Sequence, residues 1–325
     1  MKLLKILLII IIFKSTSIGQ VLKGFVVDAR TNNKIELASI YINGAFTGTT
    51  TNKDGYFELS VARFKSIPII VSAVGYYSKT LNSYSLDQDV VVKLEPKVYN
   101  IDEVIIAVKD GKLRRKLNIR LFKDQFLGTT FNSKYCRIEN ESDIYFQTHQ
   151  DTLTAISLKP LYIINEALGY KIFYYLEKFE YHKRDNSFYF RGNMVFMEDM
   201  QADEKQRMYY KQRRQKTYLG SRMHFFRSLY ANHLSNQGFS LNYPEEKDFV
   251  YQLQVVSSDS SKKLLMLPNN LSIKYKNFYS RVETKKQSIS FDASGYYDPT
   301  DVLWLGQMAT SRVADMLPLE YDVDN

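Results

Sequence analysis

From Gln20 to Pro96 the chain breaks into short runs that alternate apolar and polar residues, each closed by turn-forming residues. This pattern restricts the segment to a small all-β sandwich. Val26 and Val27 lie in a first strand ending at Asp28, and Arg30-Thr31-Asn32-Asn33-Lys34 turns the chain. Ala38, Ile40 and Ile42 then alternate with Ser39, Tyr41 and Asn43, which predicts one buried face and one wet face. Phe57, Leu59 and Val61 repeat the pattern against Tyr56, Glu58 and Ser60, as do Val90, Val92 and Leu94 near the end of the segment. The nearly unbroken apolar run 67–73 reads instead as a strand buried on both faces. Asp54-Gly55, in the turn Asn52-Lys53-Asp54-Gly55, predicts a tight hairpin with positive φ. Asp54 is the only carboxylate in that turn, too few oxygen ligands for a calcium loop. Gly75-Tyr76-Tyr77 reads as a turn followed by an edge strand.

These positions also form a coupled set: Gly24-x-Val26-x-Asp28, Leu37-Ala38-Ser39-Ile40, Gly44, Thr47-Gly48-Thr49-Thr50-Thr51-Asn52, Asp54-Gly55-Tyr56-Phe57 and Val74-Gly75-Tyr76. The set resembles the carboxypeptidase regulatory-like domain, which is common at the N-termini of exported Bacteroidota proteins, including nutrient transporters of the outer membrane. Glu36 stands where a proline is usual in that family, and Asn52 where an aspartate is usual. The resemblance implies a seven-stranded transthyretin-like sandwich used for interaction or as a spacer, without peptidase activity. Residue spacing agrees, because a catalytic zinc needs three protein ligands and an open position. His149, His182, His224 and His233 occur in no His-x-x-Glu or His-Glu-x-x-His arrangement.

The chain opens with Met1-Lys2 and an apolar run over 3–13 interrupted only by Lys5, followed by small residues at Ser17 and Gly19. This reads as a secretory signal peptide over 1–19 that leaves Gln20 at the new N-terminus, with an uncleaved anchor as the alternative. The run is shorter than the roughly 20 residues that span a bilayer. No cysteine follows it for lipidation. Removing 1–19 takes away Lys2, Lys5 and Lys14 and no acid, so the formal charge of +9 falls to +6. Such a charge favours acidic lipids or anionic glycans but is also that of an ordinary basic surface. Export argues against nucleic acid. Cys136 is the single cysteine, so stability has to come from burial rather than from disulfides. With 325 residues of 45% hydrophobic content, two domains with real cores are within reach.

Residues 97–112 read as a linker or added strand, with the apolar stretch at 101–108 able to pair with a partner sheet. It resembles the stretch that joins such sandwiches to the plug of a TonB-dependent receptor. The remainder, 113–325, reads as one β-rich α+β domain with a helical insert. Leu113, Leu117, Leu121 and Phe122 mark an amphipathic helix over 112–127, whose Lys112, Arg114, Arg115, Lys116, Arg120 and Lys123 could lie on an acidic membrane surface. Antiparallel strands are predicted over 129–197 and again beyond Phe239, including 248–256, 271–276 and 287–291. Helices are predicted over 200–216, with acids early and bases late, and over 221–236, capped by Ser221 and ended by Gly238. The closing Met316-Leu317-Pro318-Leu319 is expected to dock an end of this domain. Two helices among uneven strands fit a membrane barrel poorly. Phe126-Leu127-Gly128-Thr129, Asn132 with Cys136, Pro160-Leu161 with Asn165, Leu168-Gly169-Tyr170-Lys171-Ile172, Tyr218-Leu219-Gly220-Ser221 with His224-Phe225, and Asp315-Met316-Leu317-Pro318-Leu319 resemble the C-terminal region of Bacteroidota proteins named only for their regulatory-like domain. That group brings no established activity.

Three residues are candidates for chemistry. Cys136 lies between Lys134 and Arg137, and nearby cations lower a thiol pKa, although a lone cysteine among strand residues is more often a small buried hydrophobe. Ser221 and His224 sit three apart on one helix, as a nucleophile and base would, but an N-cap serine is occupied by backbone N–H groups. Glu245-Glu246 and the pair Asp322 and Asp324 read as solubilising charges, and no phosphate-cradling glycine loop is present. No cofactor or metal is implied. The sequence therefore predicts a mainly β, exported protein, periplasmic or outer-membrane associated, that binds a protein or glycan partner. The alternatives are a hydrolase with its site in 113–325 or an accessory to a TonB-dependent outer-membrane transporter.

Overall fold

The computed structural model describes residues 20–64, 67–97, 111–242, 255–257, 261–267, 270–299 and 302–323. The segments expected to be a signal peptide (1–19) and an added strand (101–108) lie outside these residues. So do Glu245, Glu246, Asp324 and most of the strand expected over 248–256.

The N-terminal region is a sandwich of seven strands in two sheets: β1 (Val21–Asp28), β2 (Ser39–Ile42), β3 (Gly48–Thr50), β4 (Tyr56–Ser60), β5 (Ile69–Ser72), β6 (Lys79–Leu81) and β7 (Val90–Leu94). One sheet runs β4-β1-β7, the other β3-β2-β5-β6. Strand β1 is antiparallel to β4 and parallel to β7. The predicted alternation places Leu22, Val26, Ile40, Ile42, Phe57, Leu59, Val92 and Leu94 in one core between the sheets. Gly24 is required there, since a Cβ would lie 2.2 Å from the carbonyl oxygen of Val90 on the neighbouring strand.

Two local expectations are corrected. The Asn52–Gly55 turn is tight, with Asn52 Oδ1 accepting from the backbone N–H of Asp54 and of Tyr56, but it is not a hairpin. Its flanking strands β3 and β4 belong to different sheets, and of Asp54 and Gly55 only Gly55 has positive φ. Strand β2 does not have a wet face, because Tyr41 is as buried as Ile40 and Ile42.

The C-terminal region begins with α1 (Lys112–Phe126). It continues through β8 (Cys136–Ile138), β9 (Ile144–His149), β10 (Thr152–Ser157), β11 (Leu161–Asn165), β12 (Tyr170–His182) and β13 (Ser187–Glu198). These form a six-stranded antiparallel sheet built on β12. Its first half pairs with β11, its end pairs with β10, and β13 lies along its other edge with an irregularity between Leu176 and Lys178. Helix α1 covers this sheet through Asn118, Phe122 and Phe126, whose four-residue spacing puts them on one face. The expected helix is present but its buried face differs, because Leu113 and Leu117 are exposed.

Helix α2 (Glu204–Tyr218) opens with a capping box between Asp203 and Gln206. Helix α3 (Arg222–Tyr230) starts at its Ser221 cap as predicted but stops well short of Gly238. Asn232 adopts φ 57°, Asn232 N–H donates to Leu229 O and His233 N–H donates to Ser228 O, so a Schellman motif closes the helix with asparagine in the left-handed position. Beyond it, one sheet is made by β14 (Phe239–Asn242), β17 (Leu271–Tyr275), β18 (Phe278–Thr284) and β20 (Val302–Gly306). A second is made by β15 (Val255–Ser257), β16 (Lys262–Met266) and β19 (Ser288–Asp292), and a short α4 (Gln307–Thr310) follows β20.

Buried apolar residues group into a sandwich cluster, a cluster of α1 with the six-stranded sheet, and a cluster of α3 with the later strands. The residues after α4 contribute to two of them: Val313, Ala314, Leu317 and Tyr321 enter the six-stranded-sheet cluster, and Leu319 enters the sandwich. The closing segment thus reaches further than the end of the C-terminal region, where the sequence led us to expect it.

Candidate functional site

Ser221 and His224 come together at the corner between α2 and α3, through the backbone. Ser221 Oγ accepts from the backbone N–H of His224 at 3.1 Å, the capping bond its position predicts. His224 Nδ1 accepts from Gly220 N–H at 3.0 Å, which assigns the ring proton to Nε2, 3.1 Å from Gln237 Oε1. The imidazole lies among the rings of Tyr218, Phe239 and Tyr275. Burial lowers its pKa from the ordinary value, and the Arg227 and Lys276 charges push the same way. Both ring nitrogens are engaged in holding the corner.

Cys136 is buried at the start of β8, paired with Asn165 on β11. Burial pushes its thiol up to about 12, and the carboxylates of Asp315 and Glu166 add to the effect. The sequence suggested the reverse, since Arg137 follows it directly. Arg137, however, projects to the exposed side and is paired with Glu139 and Glu166. No hydrogen bond joins Cys136 to a histidine among the described residues.

A polar cluster that spacing did not single out lies close by. Asp315 accepts from the Thr130 hydroxyl at 2.9 and 3.0 Å and from Asn132 Nδ2 at 2.9 Å. Asn132 Nδ2 also reaches Thr217 Oγ1 at 2.9 Å, and its Oδ1 accepts from Arg213 at 2.5 Å. Beside them Asn165 Nδ2 donates to Ala314 O at 2.9 Å. Burial raises the Asp315 pKa, opposed by these donors and by Arg213. The Thr130 hydroxyl and Asn132 Nδ2 both donate to the carboxylate, so it holds the chain after α4 against the segment before β8 and, through Asn132, against α2. Asn132, Asn165 and Asp315 were visible only as members of a resemblance. Their partners are 81 to 185 residues away for Asn132 and Asp315, and no local pattern encodes such a contact.

The same closing segment secures the sandwich. Arg222 donates to the carbonyls of Met308 and Ser311, and Arg227 to those of Ser294, Leu319 and Tyr321. Glu320 then crosses to the β2–β3 loop, where its carboxylate accepts from Phe46 N–H (2.9 Å), Thr47 N–H (3.1 Å) and the Thr47 hydroxyl (2.9 Å). Leu319 N–H donates to Gly44 O at 2.8 Å. The loop in turn extends the edge of β13: Gly44 N–H donates to Met194 O and Phe196 N–H to Ala45 O, both at 2.9 Å. Phe46 packs edge-on against Tyr170 and Phe196. Further along the seam Tyr41 stacks on Tyr175 at 5.3 Å, and the Tyr175 hydroxyl donates to Ser39 Oγ at 2.9 Å. This seam is the physical reason that Tyr41 is buried.

Residues 22–106 match the family model of the CarboxypepD_reg-like domain. The N-terminal sandwich is a CarboxypepD_reg-like domain. Several of its coupled positions now have contacts. Asp28 accepts from the N–H groups of Arg30 and Thr31 and from the Tyr76 hydroxyl, joining the turn after β1 to the Gly75 turn. Thr51 donates to Ile35 O and accepts from Ala38 N–H, closing the loop before β2.

No curated protein matches the chain. Among solved structures it is similar to a presumed membrane-associated protein of unknown function from Bacteroides fragilis. The identity is 11%, over 88% of this chain and 94% of that one, with a TM-score of 0.19, too loose a superposition to define a common fold. Among the described residues no group of three or more His, Cys, Asp or Glu is placed to hold a metal, and no helix is long and apolar enough to cross a membrane.

Proposed function

We propose that this protein is an exported component of the cell envelope, periplasmic or outer-membrane associated. In this reading it binds a protein or glycan partner, with the CarboxypepD_reg-like domain as a fixed, non-catalytic part of the binding body. The observation that carries the reading is the domain match itself, joined to the way the domain is held. One of its sheets is docked on the C-terminal region, while the outer face of β4-β1-β7 remains open, with Lys23, Glu58, Val91 and Lys93 on the surface. The side chains that sequence offered for hydrolysis support it as well, being occupied in packing and capping.

Export is tested by mass spectrometry of the protein recovered from fractionated cells. A mature N-terminus at Gln20 in the envelope fraction is expected, and an intact Met1 form in the cytosol overturns the reading. Partner binding is tested by a photo-crosslinking residue at Val91 in living cells. A discrete adduct with an envelope protein or glycan is expected, and the absence of any adduct there and at Lys93 counts against the open face. Contact with a transporter through 101–108 is a finer form of the proposal. Deleting those residues then abolishes co-purification with the transporter, and unchanged recovery removes that form.

A further inference from the structure

Helix α1 has a second face that none of the described residues covers. At about 100° per residue, Asn118, Phe122 and Phe126 point together into the sheet, Leu113, Lys116, Leu117, Arg120 and the exposed Asp124 fall on the opposite side, and Lys112 lies at its flank. Leu113 is 74% exposed and Leu117 58%, although they sit four residues apart on one face as a packed pair would. This half of the helix is anchored: Arg115 donates to Ile144 O and to Glu141 O, both at 2.9 Å, and Lys123 pairs with Glu141. Among the described residues no carboxylate forms an ion pair with Lys112, Lys116 or Arg120.

We infer that this face is a docking surface for an anionic phospholipid bilayer. Two leucines projecting from a fixed helix insert at the level of the headgroups. The flanking lysines and arginine lay their stems along the apolar surface and put their charges on lipid phosphates. A groove in a protein partner fits less well, because such grooves read an apolar stripe of three or four positions. Here the stripe is two leucines beside Lys112, Lys116 and Arg120, with Asp124 as the one carboxylate on the face. The inference deepens the envelope reading and takes from it only the cellular setting.

The test is co-sedimentation of the purified chain beginning at Gln20 with vesicles of phosphatidylglycerol mixed into phosphatidylcholine, against phosphatidylcholine alone. Binding to the mixed vesicles alone is expected, weakening as salt is raised. The triple change Lys112→Glu, Lys116→Glu, Arg120→Glu is expected to lower partitioning about 100-fold. The double change Leu113→Ser, Leu117→Ser is expected to lower it about tenfold. Both alter exposed positions and should leave the circular dichroism and melting temperature unchanged. Arg207→Glu with Lys211→Glu on the exposed side of α2 should leave binding intact. The inference is overturned by absent binding, by equal binding to phosphatidylcholine, by full binding of both α1 variants, or by an equal loss in the α2 control. None of these outcomes depends on where the mature chain begins, so this inference and the export reading fail separately.

Discussion

In the sheet β4-β1-β7 of the CarboxypepD_reg-like domain, Glu58, Ser60, Val91 and Lys93 face solvent, as strict alternation requires. In the sheet β3-β2-β5-β6 the equivalent outward residues Tyr41, Ile70 and Ser72 are buried, and Tyr41 stacks on Tyr175 of the C-terminal region. The two sheets share one core and one alternating grammar. They differ in whether a second body covers the outer face. A domain that hangs from a linker keeps two wet faces, and this one has one of them packed against the C-terminal region.

The difference makes the outer faces respond unequally to truncation. Tyr41→Ala removes a fully buried ring and is expected to cost about 3 kcal/mol or more in chemical unfolding. Tyr56→Ala, on the open sheet, should cost less than about 1 kcal/mol. Equal costs would mean that the seam contributes nothing. Next in size is Glu320→Ala, which strips three backbone and hydroxyl donors of their shared acceptor and should cost about 2 kcal/mol. Glu320→Gln keeps an acceptor and should recover part of that loss.

Smaller effects come with pH. The folded pKa of His224 is depressed below the ordinary 6.5, so the unfolded chain takes up the proton first. Its contribution to stability is complete above that value and is lost as pH falls through and below it, and His224→Gln should flatten this limb of a stability–pH curve. Asp315 has the opposite sign. Its folded pKa is raised above 3.8, so its contribution is greatest below that value and declines as pH rises through the raised one. Asp315→Asn, which retains an Oδ1 acceptor for Thr130 and Asn132, should remove that decline while keeping the segment docked.

The inner faces of the sandwich were legible because a strand puts alternate residues on opposite sides whatever its partner. The turns at Asp28 and Gly75 were legible too, while the turn at Asn52–Gly55 was placed correctly but read as a hairpin when it joins strands of two sheets. The presence of helices α1 and α2 and the cap at Ser221 were also readable, since helix periodicity, charge order and helix starts depend on residues close in sequence. The end of α3 was not, because Asn232 took the left-handed position expected of Gly238. Alternation around Tyr41 was read correctly and still gave the wrong exposure, because the covering residue, Tyr175, is 134 positions further along the chain. The cluster around Asp315 and the Glu320 clasp were illegible for the same reason. Each is built from short polar segments far apart in the chain, so their residues carry no local pattern. Leu113 and Leu117 show the converse, since their spacing matched a buried stripe while the core was supplied by Phe122 and Phe126.

The most direct test of the docked domain is native-state amide exchange at the seam. Gly44, Phe46, Thr47, Phe196 and Leu319 each donate a backbone N–H across it. They should be protected to a degree comparable with Val26 in the sandwich core, and Glu320→Ala should release Phe46, Thr47 and Leu319 together. Exchange of these amides at the rate of an open loop in the unaltered protein, with Val26 still protected, would show that the domain is tethered and not docked.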